Sequence, residues 1–249
     1  MRALAMFLLA AFSTISPVLA EPLRVLSYKT YPFFYVEKGK PTGFEYELLR
    51  LFAQGHKKEL EVRWIEVWDD IIPMLERGEG DILAATCTVT PEREARVDFS
   101  ETYFPVRIVL VEPRGQNTPN LRSLRGATVA TIKGTTYEKV LLGIPEVKFE
   151  YAETERALFE LVAAGKAQAL AVDSPVAIVL LREFTKLEFG LPLSEEQHYG
   201  FAMAKGSPLR PQLNELIRQL KISGTYYRLL EKYFGALAVE VVQAGKRVP

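Results

Sequence analysis

Residues Asp81–Tyr103, DILAATCTVTPEREARVDFSETY, decide the fold. The apolar run Asp81–Ala85 reads as a strand. It gives way to alternating hydroxyls, Thr86, Thr88 and Thr90, and then to Thr90-Pro91-Glu92. A hydroxyl cap, a proline at the first helical position and an acid in the first turn start a helix, expected over 91–96. Strand, polar turn and capped helix make half of a β–α–β unit, and the same order repeats in both directions. Upstream stand strand 23–27, helix 43–54, strand 60–67 and helix 69–77. Downstream, 106–112 is a strand, and after Pro113 the alternation restarts. Strands at 127–132, 148–151 and 169–172 then alternate with helices at 135–142, 154–164 and 175–184. Strand 199–204 and helices 208–222 and 225–233 end the pattern.

Repeated β–α–β order predicts an α/β fold with mostly parallel sheets flanked by helices. The restart after Pro113, with no Gly/Ser linker, predicts two such lobes joined by strand-like crossovers. In open α/β sheets, ligands sit beyond the carboxyl ends of the strands, so the polar residues there are the candidates.

The chain has 249 residues, and the first twenty, MRALAMFLLAAFSTISPVLA, have the pattern of a cleavable signal peptide: one basic residue near the start, a short apolar core, small residues at the end. Removing them leaves 249 − 20 = 229 residues. Lys+Arg falls from 31 to 30 against 31 Asp+Glu, a net charge of about −1. That balance argues against nucleic-acid binding, which needs a basic surplus. With 48% hydrophobic residues the chain is not disordered. The single cysteine, Cys87, excludes an internal disulfide and any multi-cysteine metal cluster. No cysteine follows Ala20, so a lipoprotein is not expected.

Four places could bind a ligand. Arg93 projects near the helix N-terminus at Thr90, where backbone amides, the hydroxyls of Thr86 and Thr88 and a guanidinium fork suit a carboxylate. A surface ion pair of Arg93 with Glu92 or Glu94 is the alternative. Lys133-Gly134-Thr135-Thr136 forms a second hydroxyl-rich turn into a helix; it lacks the glycine spacing of nucleotide-binding loops. Asp173 ends an apolar strand and could hold an ammonium group or simply cap the next helix. The aromatics Tyr28, Tyr31, Phe33, Phe34, Tyr35 and Trp68 could wall the site. Catalytic patterns are thin. His56 and His198 stand alone, there is no H-E-x-x-H or G-x-S-x-G, and Cys87 reads as a small buried thiol. No catalytic residue, metal or cofactor is expected.

Taken in order, LRVLSYKTYPFFY, GFEYELL, WDDIIPMLERGEGDILAA, TVTPEREARVDFSETY, the Gly-Thr turn, ALAVD and the ending YGFAMAKGSPLRPQLNELIRQLKISGTYYRLLEKYFG resemble the bacterial extracellular solute-binding proteins that capture polar amino acids for ABC transporters. The likeness runs from about Leu23 to Gly235. It implies a type II periplasmic-binding-protein fold: lobe 1 from 21–105 and 197–249, lobe 2 from 106–196, with hinge crossovers near 103–107 and 195–199. It implies that Arg93, assisted by Thr88, Thr135 and Thr136, holds an α-carboxylate. Asp173, helped by Thr86, would hold the α-ammonium, and Tyr31 and Trp68 would cover the side chain. It implies a monomer, free in the periplasm, that delivers its ligand to a permease in the inner membrane. Apolar Ile132 and Val172 suggest a neutral or partly apolar ligand. Two alternatives accompany this reading. One is a cyclohexadienyl dehydratase-like enzyme, against which counts the absence of a glutamate between Asp173 and Glu183. The other is a ligand-sensing module that regulates a partner. The tail 236–249 extends past the resemblance.

Overall fold

A computed structural model describes residues 21–246. The expected signal peptide, residues 1–20, lies outside the described residues, as do 247–249. The chain opens with β1 (Leu23–Ser27), a hairpin of β2 (Tyr35–Glu37) and β3 (Lys40–Thr42), and α1 (Phe44–Gly55). It continues through β4 (Leu60–Trp64), α2 (Ile71–Glu76), β5 (Ile82–Ala84), α3 (Pro91–Arg96), β6 (Asp98–Phe99) and β7 (Phe104–Val106). The second half runs β8 (Ile108–Pro113), β9 (Thr128–Thr131), α4 (Thr136–Leu142), β10 (Lys148–Tyr151), α5 (Glu155–Ala163), β11 (Ala169–Asp173), α6 (Ser174–Leu180) and β12 (Leu187–Pro192). The return passes through β13 (Gln197–Tyr199) and β14 (Ala202–Met203) to α7 (Leu209–Ile222), α8 (Thr225–Phe234) and α9 (Ala238–Lys246).

Two five-stranded sheets result, ordered β4-β1-β5-β14-β6 and β10-β9-β11-β8-β12, joined by the antiparallel pair β7–β13. This is the two-lobed α/β arrangement expected from the alternation. Each sheet is parallel where β–α–β units build it, as in β4-β1-β5 and β10-β9-β11. It turns antiparallel at β14 and at β8. Those strands enter directly from the crossovers β13 and β7, with no helix to reverse the chain, so they run against the parallel set.

The apolar positions of α1 fall on one face, and Phe44, Leu48, Leu49 and Phe52 are buried against the first sheet's core. In the second lobe Val129, Leu170, Val172, Leu158 and Phe159 do the same between sheet and α5. Two expected strands are broken at the hinge. Residues 106–112 split around Arg107, whose amide donates to Ser174 Oγ at 3.2 Å rather than to a sheet neighbour. Residues 199–204 split at Gly200-Phe201, where β13 leaves the hinge ladder and β14 joins the first sheet. The tail forms α9, which packs on β7 and α6. There Arg107 Nε donates to the carbonyl of Gly245 at 3.2 Å. Gly245 lies so close to β7 that a Cβ would collide with the Pro105 carbonyl. Among the described residues no helix is long and apolar enough to cross a membrane.

Candidate functional site

The carboxyl ends of β1, β5, β9 and β11 and the first turns of α3 to α6 converge on the gap between the lobes. Thr90 caps α3: its Oγ1 accepts from the Arg93 amide at 3.3 Å, with Pro91 at the first helical position. The cap turns the Arg93 side chain toward the gap. Its Nη1 donates to the Thr88 carbonyl at 3.0 Å, and the guanidinium lies 5.9 Å from the Trp68 ring centroid. Arg93 has no carboxylate partner among the described residues. One candidate surface partner points elsewhere, since Glu92 pairs with Lys139 across the gap, and Glu94 forms no ion pair with Arg93 among the described residues. The Arg93 guanidinium therefore presents a positive charge that no carboxylate of the described residues neutralises.

The facing turn belongs to the second lobe. Thr135 caps α4, accepting from the Glu138 amide at 3.3 Å and donating to the Ile132 carbonyl at 2.6 Å. Glu138 returns to the Gly134 amide at 2.7 Å, so two donors at the helix start are satisfied reciprocally. Gly134 has φ +76°, and a side chain there would run into Asp69 of the opposite lobe. Glycine is what lets the turn close on its partner. Trp68, Thr90, Arg93, Gly134, Thr135 and Thr136 line a crevice of about 290 Å³ between these two helix starts.

Asp173 caps α6 with its backbone only; its side chain makes no cap bond. Tyr199 Oη donates to its Oδ2 at 2.6 Å, while Oδ1 is buried with no partner among the described residues. Burial pushes the Asp173 carboxyl up to about 7, with the Tyr199 bond and the Arg93 charge pulling the other way. A buried acid with one unoccupied oxygen, in the field of Arg93, can accept a cationic hydrogen-bond donor.

Thr88 is buried beside Arg93 and bridges β-fashion to Tyr199. The structure thus gathers Arg93, Thr88, Thr135, Thr136, Trp68 and Asp173 around one gap. Two expected contacts sit apart. The Thr86 hydroxyl donates to the carbonyl of Ala85 at 2.7 Å, and its amide to the buried Glu45 at 2.9 Å, at a left-handed φ of +49°. Tyr31 is 49% exposed, stacks edge-on against Tyr35, and lines a second crevice with Lys29, Thr154, Glu155 and Arg156.

Sequence reasoning missed Glu155, the first residue of α5, which is buried and accepts from Thr30 Oγ1 of the other lobe at 3.3 Å. An acid in a first helical turn reads as a dipole partner; only lobe closure turns it into a cleft residue. It also missed Tyr199 as the partner of Asp173 and Tyr137 as a buried ring in the field of both Asp173 and Arg93. Among the described residues no group of three or more His, Cys, Asp or Glu side chains could hold a metal ion.

A family model for bacterial extracellular solute-binding proteins, family 3, matches residues 23–236. The membrane-bound lytic murein transglycosylase F of Desulfosudis oleivorans (strain DSM 6200 / JCM 39069 / Hxd3) is 32% identical over 224 residues, 86% of this chain and 48% of that protein. The ABC transporter glutamine-binding protein GlnH of Bacillus subtilis (strain 168) is 29% identical over 203 residues, 78% of this chain and 73% of that one. Among solved structures, the ancestral amino acid-binding protein AncCDT-1, a precursor of cyclohexadienyl dehydratase, superposes with a TM-score of 0.79 at 32% identity, covering 86% of this chain and 95% of that one. The chain spans about half the length of the transglycosylase F relatives it matches.

Proposed function

The chain belongs to the bacterial extracellular solute-binding proteins of family 3, and from that premise we propose that it captures an amino acid or similar small zwitterion between two closing lobes and hands it to an ABC transporter. The observation that carries this reading is the opposition of two unfilled groups across the gap, the Arg93 guanidinium and Asp173 Oδ1. A ligand carboxylate would take Arg93, with the hydroxyls of Thr88, Thr135 and Thr136 beside it. Its ammonium would take Asp173 on the other lobe, with Trp68 and the more distant Tyr31 and Thr86 bordering the site. In this reading 21–105 and 197–249 form lobe 1, and 106–196 form lobe 2. A ligand that bridges the lobes makes contacts only the closed form offers, so it shifts the equilibrium toward closure. The protein works as a monomer in the periplasm, after removal of residues 1–20. Tryptophan fluorescence of refolded protein, titrated with the L-amino acids, tests the site. Saturable binding should vanish in Arg93→Ala and Asp173→Asn. Wild-type affinity in both variants would sink it.

Similarity to transglycosylase F over this region supports a second reading, a ligand-sensing unit that acts on a partner. Co-purification from membranes separates the two: a permease partner supports transport, a cell-wall enzyme supports sensing. The dehydratase alternative, raised by the likeness to AncCDT-1, is tested by incubation with prephenate or arogenate and a search for the decarboxylated aromatic product.

A further inference from the structure

A zwitterion held by Arg93 and Asp173 leaves Glu155 without a role. Its side chain is buried at the start of α5, and Oε1 accepts from Thr30 across the gap. The charge that acts on it, among the described residues, is that of Asp173, which disfavours its ionisation further; burial and that neighbour push it up to about 7. The basic side chains of the crevice it lines are engaged elsewhere. Arg156 pairs with Glu183 at 2.6 Å, and the Lys29 ammonium lies 5.6 Å from the Trp64 ring centroid. Beside Glu155 stands Tyr28, within its electrostatic reach. The Tyr28 hydroxyl is buried with no partner among the described residues, and its ring meets Trp68 edge-to-face with centroids 5.3 Å apart. Tyr28 thus stands between Trp68, which lines the first crevice, and Glu155, which lines the second.

The charges in the cleft do not balance for a neutral amino acid. Arg93 is cancelled by a ligand carboxylate, and Asp173 by a ligand ammonium. Glu155 is then left as a buried carboxylate without a counter-ion, or must stay protonated. A ligand with one more positive charge closes the balance, and a buried acid next to an aromatic face is a surface that suits a cation. Ile132 and Val172, which suggested an apolar pocket, are packed into the second lobe's core. Glu155 and Tyr28 therefore set the polarity instead.

We infer that the ligand carries a second cationic group, in its side chain, held by Glu155 against the Tyr28 ring: a basic amino acid of the arginine–lysine type. The inference rests on the reading that Arg93 and Asp173 hold the α-carboxylate and α-ammonium. Calorimetric titration of refolded full-length protein at pH 8 with L-arginine, L-lysine, L-glutamine and L-glutamate tests it, in wild type and in Glu155→Gln. The wild type should bind arginine or lysine at least tenfold more tightly than glutamine, and Glu155→Gln should shrink that ratio about tenfold or more. Glutamine or glutamate binding as tightly as the basic pair in the wild type would overturn the inference while leaving the zwitterion reading intact. So would a basic preference that survives in Glu155→Gln. The wild-type comparison stands even if the variant misfolds. Saturation by none of the four, or Arg93→Ala binding as wild type does, would overturn the underlying reading together with it.

Discussion

In the proposed reading, Asp173 serves ligand capture at the expense of stability. Its carboxyl, ordinarily near 4, is held up to about 7 chiefly by burial. The native closed state therefore keeps a proton that the unfolded chain releases above pH 4. The unfolded state binds fewer protons between those two values, so this group makes stability fall as pH rises from about 4 to 7 and leaves a constant deficit above. Asp173→Asn should remove that deficit. The ligand-free variant is expected to be more stable than wild type at pH 8, by up to about 4 kcal/mol, and to melt higher there, with little difference at pH 4; a calorimetric scan at both values checks it. The same shift gives binding a sign. Capture of an ammonium needs the ionised carboxylate, so affinity should rise between pH 6 and 8 with release of a proton, read from binding heats in buffers of different ionisation enthalpy. Arg93 answers to a different rule. It has no carboxylate partner among the described residues, so Arg93→Ala costs the folded protein little. It leaves a buried ligand carboxylate unpaired, about 2–5 kcal/mol, or about 30-fold to several thousand-fold in Kd by calorimetry.

At the scale of elements, what was legible in the sequence is what local chemistry specifies. Thr90, Thr135 and Thr154 each cap a helix through a side-chain oxygen, and each starts its helix within a residue of where the sequence places it. The cap of α3 also orients the proposed carboxylate-binding group, because the amide it satisfies belongs to Arg93. Thr90→Ala should therefore cost about 1 kcal/mol of stability, or about 2–4 °C in Tm for a chain of this size. It should weaken binding as well, a pairing that an exposed cap away from both crevices, Asn120→Ala, whose side chain accepts from the Ser123 amide at 3.2 Å, would not show. Illegible elements depend on distant partners. Strand β12, LEFGLP, carries a glycine and a proline and no clean alternation; it exists because β8 offers an edge, and its register slips between Phe189 and Pro192. Asp173 meets Tyr199 only because β13 returns through the hinge, and Glu155 meets Thr30 only because the lobes close. No local pattern encodes such pairs.

At the scale of the whole molecule, the hinge is a two-stranded ribbon, and the tail beyond the family match lies against it. α9 follows α8, which packs on α1 of the first lobe, yet it rests on β7 and on α6, the helix that begins next to Asp173. The contact is tight: Val241 is fully buried, and Gly245 approaches β7 too closely for any side chain. The described residues of the tail, 236–246, which lacked a role in the sequence, thus contribute apolar burial where both lobes meet. Removing them exposes what Val241 covers, and burying one such side chain contributes about 1.5–3 kcal/mol. At about 2–4 °C per kcal/mol, a chain ending at Gly235 should melt roughly 3–12 °C lower than the full chain. Gly245→Val should lower the melting point in the same direction, since its side chain would force α9 off the Pro105 carbonyl. If α9 were an ornament on the surface, both changes would leave the melting curve where it is. A drop in both, with saturable ligand binding retained at 25 °C, would mark the tail as part of the hinge's packing and the cleft as built from residues 23–236.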